Sequence, residues 1–133
     1  MSPKLFILVV TIVVCLTLSV QAQAPAQSEL KAELAVCTSV VDRTPQGTDT
    51  TFALSVGSLY CWSKVTGSSG ETTVTHVWLH NGEVVAQVPL VVRSSSWRSW
   101  SQKNLYGMTG NWEVKVVDAT GNTLGRLSFT VTP

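Results

Sequence analysis

Two histidines and a pair of tryptophans are the residues of this sequence whose types and spacing could support a functional site. His76 and His80 lie four residues apart, and imidazoles can bind a metal ion or transfer protons. Trp97 and Trp100 flank Arg98 in the run Trp-Arg-Ser-Trp. An exposed indole beside a guanidinium can stack on a sugar ring or anchor a protein interface. The sequence therefore offers two kinds of chemistry to weigh.

The elements around the histidines argue against a shared site. Residues 73–80 are rich in β-branched and aromatic side chains, which predicts a strand, and positions four apart on a strand stand about 13 Å from each other. His76 and His80 therefore cannot chelate one metal ion together, and neither a metal site nor another cofactor is predicted. We interpret His76 as a partly buried histidine whose ring nitrogens are satisfied locally, and His80 as the exposed flank of a turn.

Catalytic constellations are not found elsewhere in the sequence. Acid and base catalysis needs two titratable groups that converge in a cleft. The carboxylates are scattered and fall mostly at expected turns or strand ends, as do Asp42, Asp49, Glu83 and Asp118. The serines lack the Gly-x-Ser-x-Gly pattern of a nucleophile elbow. A non-enzymatic protein is predicted.

The tryptophans favour a binding site. Residues three apart on a regular strand point to opposite faces, so we expect one of Trp97 and Trp100 in the core and the other exposed. Arg98 would share the face of Trp100. The alternative is a bulge that turns both indoles into the core. Tyr60 and Trp62 share one face of an earlier strand, and this face could extend an aromatic and basic surface.

The first residues have the pattern of an export signal. Lys4 precedes an almost continuous apolar run that ends at Val20, which predicts a signal peptide over residues 1–22. Residues 23–33 are interpreted as a linker and residues 34–133 as a single β domain. The protein is therefore predicted to be periplasmic or secreted from a bacterium, with no stable membrane span after cleavage. An uncleaved membrane anchor is the alternative.

Charge argues against nucleic acid as a partner. Nine basic residues less Lys4 leave eight, which balance the eight acidic residues, so the exported chain is formally neutral. A protein that binds nucleic acid needs a basic patch or stripe against the phosphate backbone, and the sequence has none.

Two cysteines, Cys37 and Cys61, remain after cleavage. An oxidising compartment favours their pairing, and a disulfide would close a loop of about 24 residues. A disulfide between these two cysteines is predicted, with two buried free thiols as the alternative.

Hydrophobic alternation predicts an all-β fold. The strongest local signal is Asn81-Gly82 between two alternating runs, which indicates a hairpin with a type I′ turn. Pro89 in the second arm predicts an edge strand or a bulge. Strands are predicted over residues 34–41, 59–65, 73–80, 83–92, 97–103, 112–118 and 124–131, and an apolar run over residues 52–56 precedes the second of them across a bend at Gly57. About seven strands at regular intervals favour an antiparallel immunoglobulin-like β-sandwich, with a small β-barrel as the second choice.

The ordered set of motifs resembles a bacterial family known as domain of unknown function 2914, from about residue 34 to residue 131. The motifs are Cys37-x-x-Val40-x-Asp42-Arg43-x-Pro45-x-Gly47, Gly57-x-Leu59-Tyr60-Cys61-Trp62, His76-Val77-Trp78-x-His80-Asn81-Gly82, Trp97-Arg98-x-Trp100-Ser101 and Gly110-x-Trp112-x-Val114-x-Val116-Val117-Asp118-x-x-Gly121. The resemblance implies a compact extracytoplasmic β domain, sometimes joined to other modules. It implies no reaction.

Together these observations predict an exported binding module without enzymatic activity, whose most plausible ligand is a glycan or peptidoglycan of the cell envelope. Aromatic stacking and hydrogen bonds would hold the ligand. The candidate residues are Trp100, Trp62, Tyr60, Arg98 and His76. The alternative is a structural or protein-interaction domain that binds another envelope protein through the strand edge near Pro89 or through the same tryptophans.

Overall fold

The computed structural model describes residues 29–133, in which ten strands and one 3-10 turn are formed. The predicted signal peptide and residues 23–28 lie outside the described residues. The strands are β1 Lys31–Cys37, β2 Ser39–Val41, β3 Thr44–Gln46, β4 Thr51–Ala53, β5 Ser58–Thr66, β6 Thr72–His80, β7 Glu83–Val92, β8 Ser96–Asn104, β9 Gly110–Val117 and β10 Thr123–Thr132. Within residues 29–133, no helix is long and apolar enough to cross a membrane.

Two sheets pack face to face around the core. One has the strand order β1-β5-β8 and the other has the order β4-β10-β9-β6-β7, while β2 and β3 form a separate hairpin. Seven strands have seven residues or more. Counted along the chain, these long strands are ordered 1-2-5 in one sheet and 7-6-3-4 in the other, as in immunoglobulin-like sandwiches. The predicted all-β sandwich of about seven strands is confirmed.

The hairpin predicted at Asn81-Gly82 is confirmed and joins β6 to β7. Both turn residues have positive φ angles, 50° for Asn81 and 83° for Gly82, as a type I′ turn requires. β7 is an edge strand of the larger sheet, which suits Pro89 because proline has no N–H to donate to a further strand.

The beginning of the domain differs from the prediction. The segment expected as one strand over residues 34–41 divides into β1, which already begins at Lys31, and β2. The turn expected after it is the β2–β3 hairpin, whose central residues Asp42 and Arg43 have φ angles of 51° and 60°. Left-handed conformations are uncommon for residues other than glycine, asparagine and aspartate. Pro45 and Gly47 therefore predicted a turn in this segment, but no sequence signal placed its centre at Arg43.

Aromatic and aliphatic side chains from both sheets fill the core. Trp112 and Phe129 stack with ring centroids 5.9 Å apart, and Trp78 meets the Phe129 ring edge-on at 6.3 Å. The predicted core face of β9 is confirmed, because Trp112, Val114 and Val116 are all buried. The largest cluster consists of Val36, Phe52, Leu59, Cys61, Trp78, Leu105, Trp112, Val114, Phe129 and Val131.

The predicted disulfide between Cys37 and Cys61 is wrong, because both cysteines are free buried thiols. The register of β1 against β5 explains this. Cys37 lies opposite Tyr60, whereas Cys61 lies opposite Val36, so the two cysteines occupy positions of opposite parity. Side chains at such positions point to opposite faces of the sheet. Cys61 joins the main core, while Cys37 packs with Trp62 on the outer face.

A buried hydrogen-bond network joins the two sheets through His76. The Nε2 atom of the imidazole lies 2.8 Å from the Ser63 hydroxyl, and the Nδ1 atom lies 2.8 Å from the Ser101 hydroxyl. The Trp78 indole N–H donates to the same Ser101 hydroxyl at 3.1 Å. Ser63 and Ser101 belong to the smaller sheet, and His76 and Trp78 to the larger one. The network therefore bridges the sandwich inside its core.

The two thiols should be unreactive in the folded protein. Burial raises the pKa of Cys61 to about 12 and also raises the pKa of Cys37, which keeps both thiols protonated, and the thiolate is the nucleophile. We expect iodoacetamide to leave both cysteines unmodified in the native protein and to alkylate both after unfolding without reductant. Mass spectrometry of the peptides locates the modification. A cross-linked Cys37–Cys61 peptide from non-reduced protein would contradict the structure.

The His76 network predicts a loss of stability in acid. Burial lowers the pKa of His76 from 6.5 to about 4, so between these pH values the unfolded chain binds a proton that the folded chain does not. The free energy of unfolding should therefore fall by about 3 kcal/mol as the pH falls from 6.5 to 4. Urea denaturation at a series of pH values measures this change.

The matched control for this prediction is His76→Gln. This variant should be less stable at neutral pH, but its free energy of unfolding should depend less steeply on pH between 6.5 and 4, because the buried imidazole that resists protonation is absent. Equal pH dependence of the two proteins would show that His76 does not titrate as the burial predicts.

Candidate functional site

Strand β8 separates the two tryptophans as the sequence predicted. Its neighbour β5 places Trp97 opposite Val65, a core residue, and places Trp100 opposite Trp62. Trp97 is half-buried and packs against the core, whereas Trp100 remains 38% exposed. Arg98 is exposed and shares the outer face with Trp100. The alternation of β8 is regular, so the alternative of a bulge that buries both indoles is wrong.

The outer face of the β1-β5-β8 sheet brings the other predicted surface residues beside Trp100. Trp62 is directly opposite Trp100, and Lys64 is directly opposite Arg98. Directly opposite residues have Cβ atoms about 5 Å apart. We call this surface the Trp100 face, and it consists of Tyr60, Trp62, Lys64, Arg98 and Trp100.

Trp62 lies under the β2–β3 hairpin and holds that hairpin against the sheet. Its side chain is only 6% exposed, and its indole N–H donates to the carbonyl oxygen of Arg43 at 2.9 Å. Tyr60 is half-buried and packs against Trp62 and Cys37. Trp100 is therefore the aromatic residue of this face that offers most surface to a ligand, while Trp62 and Tyr60 hold the sheet and the hairpin together.

Two open hollows adjoin on the Trp100 face and share Arg98. The first, which we call the Trp100 hollow, has a volume of about 310 Å³ and is lined by Arg43, Trp97, Arg98, Ser99 and Trp100. The second has a volume of about 620 Å³ and lies under the β2–β3 hairpin, where Trp62, Lys64 and Glu33 line it. The arrangement can receive a flat ring over an indole and polar groups beside it.

The cations of the Trp100 face have no carboxylate partner. The ion pairs within residues 29–133 are Arg93–Glu71 and Arg126–Glu113, both with nitrogen and oxygen 3.7 Å apart. Arg43, Arg98 and Lys64 belong to neither pair. Their donors are therefore free to bind ligand groups.

His76 does not reach this face. Its side chain is 0% exposed, and both ring nitrogens are occupied by the hydroxyls of Ser63 and Ser101. The inclusion of His76 among the ligand-binding residues is therefore corrected, because it lies on the inner side of the sandwich. The interpretation of a locally satisfied histidine holds, and the burial is complete rather than partial.

His80 is more constrained than an exposed turn flank. Its Nε2 atom lies 2.7 Å from the carbonyl oxygen of Thr109, and its ring centroid lies 4.8 Å from that of Trp112. The side chain is half-buried. Among the described residues, no group of three or more His, Cys, Asp and Glu side chains is placed to hold a metal ion.

Sequence reasoning missed two exposed residues. Arg43 reaches the Trp100 hollow only because the β2–β3 hairpin folds over β5, and no local pattern signals that contact. Tyr106 is 76% exposed and carries the Lys103 ammonium 4.9 Å from its ring centroid. Tyr106 lies in the loop after β8, and this loop position could have suggested that its side chain is exposed. Tyr106 lines neither hollow of the Trp100 face.

A third hollow of about 460 Å³ lies on the other sheet. Threonine, serine and asparagine side chains dominate its lining, and the aromatic residues there, Trp112 and Phe129, are 2% and 3% exposed. This hollow offers no aromatic surface for stacking, so the Trp100 face is the better candidate site.

Residues 71–131 match the family model described as a protein of unknown function, DUF2914. The predicted resemblance to this family is confirmed. The match covers β6 to β10, and therefore includes Arg98 and Trp100, but residues 34–70 of the predicted extent lie outside it. No match is found among curated proteins.

Solved structures with a similar fold come from a much longer enzyme. A β-glucosidase from Listeria innocua in complex with glucose has a TM-score of 0.50 and 12% identity, over 81% of this chain and 17% of the enzyme chain. The complex with isofagomine has a TM-score of 0.49 and 11% identity, over 80% and 17%. This chain thus spans less than a fifth of that enzyme, and the similarity shows the fold alone.

The different burial of the two indoles predicts different effects of their removal. Trp97→Ala removes a side chain that packs against the core, and we expect a loss of about 2 to 3 kcal/mol in the free energy of unfolding. Trp100→Ala removes an exposed side chain and should cost no more than about 1 kcal/mol. Denaturant unfolding of both variants measures the difference. Equal losses would mean that β8 does not alternate as described.

Proposed function

We propose that this protein is a non-enzymatic binding module of the cell envelope whose ligand is a glycan, peptidoglycan included, bound on the Trp100 face. The observation that carries the proposal is the exposed Trp100, which lines one open hollow together with Arg98, while Arg98 also lines the adjoining hollow. Export by the signal peptide predicted at residues 1–22 would bring the domain to envelope glycans.

The physics of stacking supports a sugar ligand. A sugar ring presents a flat face of C–H bonds, and burying it on an indole removes apolar surface from water. Its hydroxyls need hydrogen-bond partners once they leave water. Arg98 and Lys64 offer several donors on the same face of the sheet, so a ring over Trp100 would find polar groups at its rim.

Side-chain placement gives less support to catalysis. The arrangement nearest to a nucleophile and base is Ser63 with His76, whose hydroxyl and Nε2 atom are 2.8 Å apart. Both residues are 0% exposed, so a substrate has no access to either atom. The Trp100 face carries cations and aromatic rings, and none of its five residues is a carboxylate or a histidine that could pair as a general acid or base.

A protein partner is the second candidate, favoured by the surface of β7. This edge strand exposes Val84, Val85 and Val91, and an edge strand presents backbone groups to which another strand can pair. Pro89 and the bulge near Val85 interrupt that edge, which limits the length of strand that could add. The Trp100 indole would also serve such a partner as an anchor, since exposed tryptophans suit protein interfaces.

Binding to glycans tests the proposed function. Purified protein should sediment with isolated sacculi, or give heat on titration with soluble glycan fragments, and Trp100→Ala should weaken that binding about tenfold or more, since stacking contributes about 1 to 3 kcal/mol. Tyr106→Ala is the matched control, because it removes an exposed aromatic ring that lines neither hollow.

Three outcomes of this experiment are distinct. Loss of binding in Trp100→Ala alone supports the glycan site. Absence of binding to sacculi and fragments, with unchanged tryptophan fluorescence, excludes it. A cross-linked envelope protein that is lost in Trp100→Ala and is indifferent to added sugars favours the protein-interaction function.

A further inference from the structure

We propose that the glycan bound at this site carries carboxylates, and that Arg43 and Arg98 bind a carboxylate in the Trp100 hollow while Trp100 stacks on the adjoining sugar ring. This inference rests on the proposed function and adds the charge of the ligand. The protein would then bind acidic glycans more tightly than neutral ones.

The distribution of charge favours an anionic ligand. Residues 29–133 hold eight basic residues, which are the nine of the whole chain less Lys4, and all eight acidic residues, so the described part is formally neutral. The Trp100 hollow nevertheless has two arginines and no acidic residue among its lining residues. An excess of one sign inside a hollow of a neutral protein selects ligands of the opposite sign.

Both arginines lack an ion-pair partner among the described residues. Arg43 and Arg98 take part in none of the ion pairs of residues 29–133. Glu33, the nearest carboxylate in the register of the sheet, stands opposite Lys64 across β1 and β5 and lines the neighbouring hollow instead. A guanidinium carries five N–H donors in a planar fork that matches a carboxylate, and an unpaired one in a hollow is free to bind it.

The backbone places Arg43 firmly enough for such a role. Its carbonyl oxygen accepts the Trp62 indole N–H at 2.9 Å, and its φ angle of 60° belongs to the tight turn of the β2–β3 hairpin. Arg98 starts from the opposite side of the hollow, on β8. Two arginines on different elements line one hollow of about 310 Å³, which is near the lower end of ligand pockets and large enough for a single sugar substituent.

The position of Trp100 beside the two arginines requires that the ligand carry a sugar ring close to its carboxylate. Trp100 and both arginines line the same hollow, so a ligand that uses all three must carry an apolar ring face and a carboxylate within one or two sugar units. A sugar acid meets this requirement, and so does a glycan with a short acidic peptide attached to the ring. Both sources share the carboxylate, and the experiment distinguishes them.

Sacculi with free or blocked carboxyl groups provide the test. Carbodiimide coupling to ethanolamine converts the carboxyls to neutral amides and leaves the sugar rings unchanged. We expect the wild-type protein to bind the blocked sacculi about tenfold more weakly. The loss of one charge-assisted hydrogen bond lowers an affinity by about that factor. Arg98→Gln and Arg43→Asn should bind both forms equally weakly. Asparagine is chosen at position 43 because it tolerates the left-handed backbone of the turn.

Lys115→Gln is the matched control, since it removes a cation from the other sheet and outside both hollows. It should behave as the wild-type protein does. An equal loss in Lys115→Gln would show that the overall charge, and not the Trp100 hollow, attracts the glycan, and would overturn the inference. Thermal denaturation shows whether each variant is folded, and a folded Arg98→Gln protein alone is sufficient for the test.

The remaining outcomes separate this inference from the proposed function. Equal binding of free and blocked sacculi, lost in Trp100→Ala, overturns the carboxylate and retains the glycan site. No binding to either form overturns both. Glycan strands freed of their peptides by an amidase carry a new carboxylate on the sugar wherever an amide was cleaved, and carbodiimide coupling to ethanolamine blocks it. Binding to the stripped strands that is lost on blocking supports recognition of a carboxylate attached directly to the sugar, and absence of binding to the stripped strands supports one on the peptide.

Discussion

The hydrogen bonds of the His76 imidazole fix how the two sheets lie against each other. Apolar contacts are non-directional, whereas a buried polar group that loses its partner costs about 1 to 3 kcal/mol. Both ring nitrogens and the Trp78 indole N–H find hydroxyls of the facing sheet. A shift of one sheet by a single residue would leave all of them unpaired, so the network selects one packing arrangement.

Strand β8 connects this constraint to the candidate site. Ser101 on its inner side belongs to the His76 network, and its neighbour Trp100 therefore has to point outward. The exposure of the indole is thus a consequence of core packing, because a strand that buries one residue must expose the next. The β2–β3 hairpin covers Trp62 on the adjacent strand. Of the two tryptophans that lie opposite each other, Trp100 is therefore the exposed one.

Features set by neighbouring residues could be read from the sequence. The Asn81-Gly82 turn, the strand periods and the division of Trp97 from Trp100 depend on local backbone geometry, and all three are confirmed. The state of the cysteines depends on the register between β1 and β5, and a shift of one residue reverses which face a side chain occupies. Sequence could not supply that register.

The residues of the candidate site also differ in whether local sequence could predict their positions. Arg98 and Trp100 were identified because they are adjacent on one strand. Arg43 was missed because it arrives through a hairpin with unusual φ angles, and His76 was misplaced because its serine partners lie 13 and 25 residues away in the chain. Residues that act through contacts distant in sequence need the fold before their roles can be assigned.

The opposite orientations of Cys37 and Cys61 also bear on where the domain can fold. A sulfur–sulfur bond between them would require the β1–β5 ladder to open, since the sheet itself lies between the two thiols. The stability of the native state is therefore independent of the surrounding thiol–disulfide potential. Such a domain needs neither an oxidase nor an isomerase to reach its final structure, and reductants leave that structure intact.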